Sequence, residues 1–547
     1  MLHNWCFPDT NPIFSYSNRR FKVELFTDSN RYDLDPELTH SSEKEGVFFA
    51  SADGLCWAGG QEKAAGKVEI RVERVGDALR FAIHAQKEEP IVRVKLVLLN
   101  LPLGKVIARR LYQEELEENG KIYRYPNGWD DLFTPLVVLK QEKGVTYFRS
   151  LDEKVTPKHF MLRKEGDSAY VELIHEFDAR FPQKEVDVPL WEVGTALSAD
   201  EVFEKQRVYL EKVFHFVKWE KRKDVPDWAK KISLLVAIHG MHWSGHIFSD
   251  YRDMEKKLDL LAGLIAPEKV LVYLPGFDGR YYFKYPDYSP DPRMGGEEGM
   301  KSLVEHAHRL GFHLMPMFMA NGANPKTPGF EIWGEPSRYH GRNGYAYGVG
   351  SCDWDTARCY DLNCGVGLNP GAPLWQDRIV NEILTQCEKF HYDAIFLDLA
   401  AIYVNDPLHS THEGMERMIA RLHERIPSLL VATEGWYDAL TPSFPLSQVA
   451  ADGRDGAMIY HDTPYAPFFD DYCRAIGHLC TPDPAEHRTG VFEWGYNPTT
   501  TEQPLRKGII PTLTIVGDTL EKALPAVKKT LERAEEYAKR YLDKGGG

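Results

Sequence analysis

Two hydrophobic periods divide the chain. Over residues 1–198 apolar and polar side chains alternate at period two, as in Phe21–Phe26 (FKVELF), Lys67–Val72 (KVEIRV), Ala78–Ile83 (ALRFAI) and Val92–Leu99 (VRVKLVLL). Thr134–Lys140, Gly144–Phe148 and Ala169–His175 continue the pattern. Such alternation predicts antiparallel strands with one solvated face, and so an all-β sandwich, with a small β-barrel as the alternative. Residues 199–230 change character. Ser198-Ala199-Asp200-Glu201 is a capped helix start, and Phe203, Val208, Leu210 and Val213 follow at roughly helical spacing. The charged run Lys218–Lys231 (KWEKRKDVPDWAKK) reads as a solvated face, which makes this segment a helical linker.

From residue 231 to 547 strands alternate with helices. Apolar runs at Ser233–Ile238, Val270–Leu274, Phe312–Met319, Ala394–Leu397 and Leu429–Thr433 are separated by amphipathic stretches at Asp253–Leu264, Glu297–Leu310, Leu374–Lys389 and Glu413–Arg425. Gln448–Ala451 and Gly456–Tyr460 read as short further strands, Gly508–Val516 as the last, and Leu520–Leu542 as a closing helix. Continuous apolar strands with helical crossovers build a buried parallel sheet. Around eight such units predict a (β/α)8 TIM barrel. A long insertion at 322–374, rich in Gly, Pro, Trp and Tyr, is expected to be an ordered cover over the pocket.

In a parallel barrel all strand C-termini emerge on one face. The apolar runs stop at His239, Asn321, Asp398 and Glu434, and a less regular one at His461-Asp462. One polar residue ending a strand is ordinary cap or turn chemistry. Five at one end of one sheet suggest a site. Two carboxylates are the minimum set for cleaving a glycosidic bond, one attacking or activating water, the other protonating the leaving oxygen. Asp398, between Leu397 and Leu399, is the nucleophile candidate. Glu434 is one methylene longer and has Trp436 beside it to desolvate it, so it is the acid/base candidate, with an expected raised pKa. Glu493, in VFEWGYNP, is the rival acid. His461, Asp462, His239, Trp243, Asp278, Asn321 and Trp436 are candidate substrate contacts, and Arg280 could join Asp278 in GFDGRYYF.

Composition narrows the field. A formal charge of −15 argues against a nucleic-acid partner, which would need clustered Lys and Arg. No apolar run approaches the roughly 18 residues of a membrane span. No export signal is visible at the N-terminus, and the eight cysteines contain no C-x2-C pair, so reduced thiols, a cytoplasmic setting and no structural zinc are expected. The H-x2-H of His239 and His242 is not a zinc spacing, and no nucleotide or phosphate loop occurs, so no cofactor is expected. The aromatic content of 12% suits either core packing or sugar binding.

The run Leu368–Leu399 (LNPGAPLWQDRIVNEILTQCEKFHYDAIFLDL) resembles the approach to the nucleophile strand in α-amylase-like glycoside hydrolases. It is most similar to the endo-α-N-acetylgalactosaminidase group and its uncharacterised relatives. NPGAPLW and FLDL carry most of the likeness. The resemblance implies a galactose-mutarotase-like β-sandwich before the barrel and a retaining α-glycosidase. It also implies an Asp nucleophile ending strand four, at Asp398, and a Glu acid/base ending strand five, at Glu434. A substrate-holding His-Asp pair would be His461 and Asp462. The chain departs from the pattern at Phe396, where that superfamily usually has Arg, and its closing helix at Leu520–Leu542 stands where a further β-sandwich would be expected. A carbohydrate substrate is therefore expected. A transglycosidase on the same site and a non-catalytic carbohydrate-binding barrel are the alternatives.

Overall fold

The computed structural model describes residues 9–108, 113–128, 131–241, 246–279, 284–346, 365–449, 464–477, 505–515, 517, 520 and 524–543. They form two units, divided between Phe214 and His215.

The first unit is one large antiparallel sheet of 17 strands. Its organising strand is Ala78–Leu101, 24 residues long, which the sequence pattern breaks into two shorter runs. The half Ala78–Gln86 pairs with Lys67–Val75 and Gln183–Ala196, while the half Ile91–Leu101 pairs with Arg19–Thr27 and Ser168–Glu176. Register shifts fall where the halves meet, at Gln183/Glu185 and Phe26/Thr27. Bulges of this kind bend a strand and let it pass between layers. The sheet folds over accordingly: Phe21 from the second set of strands packs on Phe81 and Phe48 from the first, with ring centroids 5.2 and 5.5 Å apart.

Helix α1, Ala199–Val213, belongs to this unit rather than to a linker. Ser198 caps it through the Glu201 N–H at 3.2 Å, and the Glu201 carboxylate accepts from the Leu197 N–H at 3.2 Å. On its inner face Lys205 reaches the buried Glu192 carboxylate at 2.8 Å, which Arg80 and Arg149 also hold at 2.9 Å each. Gln206 bridges Arg149 and Thr134.

The segment after α1 is not helical beyond two short 3-10 turns, Trp219–Lys221 and Ala229–Lys231. Nor is its charged run wholly solvated. Arg222 is buried and donates to the carbonyls of Thr441, Pro442 and Tyr472 at 2.6, 2.7 and 3.3 Å. Asp224 accepts from Arg222 Nε at 3.0 Å, so the buried guanidinium is paired as well as hydrogen-bonded, which offsets the cost of its burial.

The second unit is a parallel sheet of nine short strands: β1 Leu234–Ile238, β2 Val270–Leu274, β3 His313–Met319, β4 Ala394–Asp398, β5 Leu430–Glu434, β6 Leu446–Gln448, β7 Arg474–Ile476, β8 Ile509–Ile510 and β9 Thr512–Ile515. Neighbours run in chain order from β1 to β8, and β9 returns to pair with β1, so the sheet is nearly closed into a barrel. Only Pro511 separates β8 from β9. Proline has no N–H to give a ladder, so the last strand breaks there into two pieces that face different neighbours.

Helices α2 Tyr251–Ala262, α3 Gly296–Leu310, α4 Pro373–Phe390 and α5 Thr411–Arg425 cross over between the strands. Each buries one stripe, which in α5 is Met415, Met418, Ile419 and Leu422, the face its sequence period marks. Helix α6, Leu524–Tyr537, closes the unit. The seventh strand is Arg474–Ile476; the expected one at 456–460 lies outside the described residues.

Candidate active site

The strand ends place the site. Leu397 of β4 sits opposite Thr433 of β5, so Asp398 and Glu434 end adjacent parallel strands at the same level. Met319, at the end of β3, is the partner of Asp398 on the other side. The carboxyls of Asp398 and Glu434 touch through a hydrogen bond. Two carboxylates cannot share one unless a proton lies between them. Burial pushes the Glu434 carboxyl well above the usual range, and the neighbouring Asp398 charge raises it further. The Leu399 N–H, donated to Glu434 Oε2 at 3.0 Å, acts in the opposite direction. Burial and the neighbouring charge thus favour the protonated form of Glu434 over that of an ordinary carboxyl.

Leu399 itself is unusual. Its φ is +56°, in the left-handed region that a Cβ disfavours. Its carbonyl accepts from the Ile402 N–H at 3.1 Å and from Asn321 Nδ2 at 2.7 Å. Asn321, just past β3, also donates to the Tyr339 hydroxyl at 3.1 Å and is 1% exposed. Its Nδ2 thus serves the Leu399 carbonyl and the Tyr339 hydroxyl, while its Oδ1 is buried without a hydrogen-bond partner among the described residues.

Asp278 lies in the loop after β2 and is fully buried. Phe277 anchors that loop against Phe318 and Tyr288, with centroids 5.5 and 6.2 Å away. Burial holds the Tyr288 phenol well above its ordinary range, and both Asp278 and Asp398 push it further in the same direction. Asp278 and Asp398 therefore act on one phenol, which also accepts the Met319 N–H at 2.7 Å. His239, past the end of β1, is buried, with its N–H on the Ile515 carbonyl at 3.2 Å.

Trp436 is placed differently from its expected role. Its indole N–H donates to Thr441 at 3.1 Å, and its ring packs on Phe469 and Phe468 at 4.8 and 5.5 Å. It is a core residue with no exposed face to offer a sugar. Phe396, where an Arg was absent from the pattern, packs on Tyr273 of β2 at 4.7 Å. Trp243, Arg280, His461, Asp462 and the rival Glu493 lie outside the described residues.

The described parts of the insertion are ordered against the strand ends. Gly322–Ala323 pairs with Val366–Gly367, and Trp375 donates to the Ala320 carbonyl at 3.0 Å. Asp406, from the loop after β4, accepts the His340 N–H at 2.8 Å, which fastens that loop to the insertion. Among the described residues no group of three or more His, Cys, Asp or Glu side chains is placed to hold a metal ion.

Sequence reasoning missed Leu399 and Tyr288. Leucine gives no signal for a left-handed turn. Tyr288 is one of several aromatics in a loop without period. It also missed Asp438, a buried carboxylate after β5 that accepts the Ala439 N–H at 2.7 Å; an acidic residue four positions past a strand-ending Glu was the available signal.

No family model and no curated protein matches the sequence. Solved structures do. The α-N-acetylgalactosaminidase NagBb from Bifidobacterium bifidum is similar over 96% of this chain and 93% of its own, with a TM-score of 0.65 at 12% identity. The GH36 α-galactosidase AgaA from Geobacillus stearothermophilus is similar over 95% of this chain and 76% of its own, with a TM-score of 0.54 at 10% identity. The galactosidase domain of the α-galactosidase-sucrose kinase AgaSK covers 96% and 72%, with a TM-score of 0.51 at 11% identity. The chain shares their fold. The likeness to NagBb runs through both units, the folded-over sheet and the parallel barrel.

Proposed function

We propose that the chain is a retaining glycoside hydrolase acting on α-linked sugars, with Asp398 as nucleophile and Glu434 as acid/base. In this reading the second unit is a (β/α)8 barrel, and the first a β-sandwich of the galactose-mutarotase kind. The observation that carries the proposal is the carboxyl pair on adjacent strand ends, hydrogen-bonded to each other, with burial and the Asp398 charge raising Glu434. Contact is short of the roughly 6.5–9.5 Å of an inverting pair and also of the roughly 5–5.5 Å of a retaining one, so a sugar entering between the carboxyls has to part them, and the retaining spacing needs the smaller movement. The fold likeness to an α-N-acetylgalactosaminidase and two α-galactosidase structures supports the α-linkage.

The chemistry follows from the electrostatics. Asp398, ionised, attacks the anomeric carbon while Glu434 gives its proton to the departing oxygen, so the glycosidic C–O bond breaks as the Asp398 ester forms. Esterification removes the Asp398 charge that raised Glu434, and the Glu434 pKa falls. It can then take a proton from water, whose oxygen attacks the anomeric carbon and releases Asp398. Two inversions leave the α configuration. Asp278 and Tyr288 are buried on the Asp398 side of the pair, where both carboxylates act on the Tyr288 phenol.

The test is a panel of aryl α- and β-glycosides, α-N-acetylgalactosaminide and α-galactoside first, with the initial anomer read by NMR. Release of the α-anomer, lost in Asp398→Asn, is the expected result. Turnover of β-glycosides alone would overturn the α-linkage, and no turnover at all would leave the sugar-binding barrel as the better reading.

A further inference from the structure

We propose that Asn321 is a positioning residue: its side-chain amide fixes the left-handed Leu399 turn whose N–H holds the Glu434 carboxyl in place for proton transfer. The inference rests on Glu434 being the acid/base. It adds a residue two strands away from it that acts without touching substrate.

Three observations converge. Leu399 holds a φ of +56°, a conformation that a leucine keeps only when its surroundings over-determine it. Asn321 Nδ2 supplies part of that constraint through the Leu399 carbonyl at 2.7 Å, alongside the Ile402 N–H at 3.1 Å. The turn so held sends the Leu399 N–H to Glu434 Oε2 at 3.0 Å. Asn321 is itself immobilised, its side chain by the buried Tyr339 hydroxyl at 3.1 Å and its backbone carbonyl by the Leu368 N–H at 2.7 Å. Insertion, strand end and turn therefore form one chain of hydrogen bonds ending on the acid.

The chemical effect is on which oxygen carries the proton. An oxygen that accepts an N–H is the acceptor of the carboxyl, so the proton resides on Oε1. A carboxyl free to turn would present either oxygen, and a misplaced donor loses rate rather than affinity.

The test compares wild type, Asn321→Asp, Asn321→Ala and the double variant Asn321→Ala with Leu399→Gly, on whichever aryl glycoside is turned over. Asn321→Asp is nearly isosteric and loses both donors. The expected result in both single variants is a fall in kcat of about tenfold or more, with KM changed by less than about threefold; in Asn321→Ala, which adds no charge, the basic limb of kcat moves to higher pH because the Leu399 N–H no longer favours the ionised acid. Glycine takes a positive φ without penalty, so the double variant is expected to recover kcat relative to Asn321→Ala alone. A raised KM at unchanged kcat would make Asn321 a substrate contact and overturn the proposal. So would an unmoved pH limb with no recovery by glycine.

If the wild type turns over no glycoside, the functional reading fails, and the positioning claim is read from the Glu434 titration by 13C NMR, with Glu434→Gln identifying the signal. An Asn321→Ala titration coincident with wild type then overturns it. Melting temperatures show which variants are folded; if Asn321→Asp is not, the double variant is read in its place.

Discussion

A carboxyl buried against another carboxyl keeps a proton at a pH where a free one has lost it, and this sets what Glu434 can do. Replacing it should cost most where a proton is needed most. Glu434→Gln is expected to lower kcat by about 10²–10⁴-fold on alkyl glycosides and far less on nitrophenyl glycosides, whose leaving group needs little protonation. A leaving-group series of kcat values checks this; equal losses across the series would remove Glu434 from the acid role. Asp398→Asn should abolish turnover and bring the Glu434 titration down, because the charge that helped raise it is gone while burial persists. Titration by 13C NMR reads that shift, and an upward movement would contradict the charge argument. At this scale the sequence was informative where a polar side chain follows an apolar run, as at Asp278, Asn321, Asp398 and Glu434. It could not reveal that Asn321 faces backbone, or that Trp436 turns into the core, because a residue's direction past a strand end depends on what the loop packs against.

The elements were legible where their period is strong. β4 and β5 begin and end within a residue of their apolar runs, and α5 buries the expected stripe. β7 was invisible because Arg474–Ile476 is three residues long and too short to show a period. Loops matter as much as strands here. Gly276 has a φ of +64°, and a Cβ there would come within 2.3 Å of the Met241 carbonyl oxygen, so only glycine lets the loops after β1 and β2 close on each other. Gly276→Ala is expected to destabilise the fold by about 1–3 kcal/mol and to displace Asp278, two residues on. Denaturant unfolding together with kcat would check this, and an unchanged midpoint would show that the loops separate freely. In the first unit, Ser198→Ala removes the cap of α1 and should cost about 1 kcal/mol by the same measurement.

Over the whole molecule, acid is the expected weak point. Burial alone would raise Glu192, but Lys205, Arg149 and Arg80 more than offset it and bring the carboxyl down to about 2 from 4.5. Asp393 likewise falls to about 2 from 3.8, burial being outweighed by hydrogen bonds from His308 and His313. Depressed carboxyls stabilise the fold above their unfolded pKa, and that contribution is lost as pH falls from near 4 towards 2. His175 and His412 are lowered from 6.5 to about 3 and about 4 by burial, with Lys158 adding to the effect on His175. Their unfolded forms bind protons first, so stability also declines as pH drops below about 6.5. His308, raised by the Asp393 hydrogen bond, works in the opposite sense, and its contribution disappears as pH rises through its folded value. Glu434, whose raised carboxyl favours the fold as pH falls towards 4.5, opposes the two buried histidines between pH 6.5 and 4, so the melting temperature is expected to fall chiefly from pH 4 to 2. A flat profile across that range would contradict these burial assignments.

By itself the sequence determined the order of two structural regimes and the identity of the carboxylates at two strand ends, because hydrophobic period and strand termination are local properties of the chain. Only the tertiary structure decided that α1 belongs to the first unit, that Arg222 is buried on carbonyls and Asp224, and that the Asp398 and Glu434 carboxyls meet. Each of these depends on groups far apart in sequence meeting out of water, where an unpaired charge or polar group is costly enough to select one arrangement.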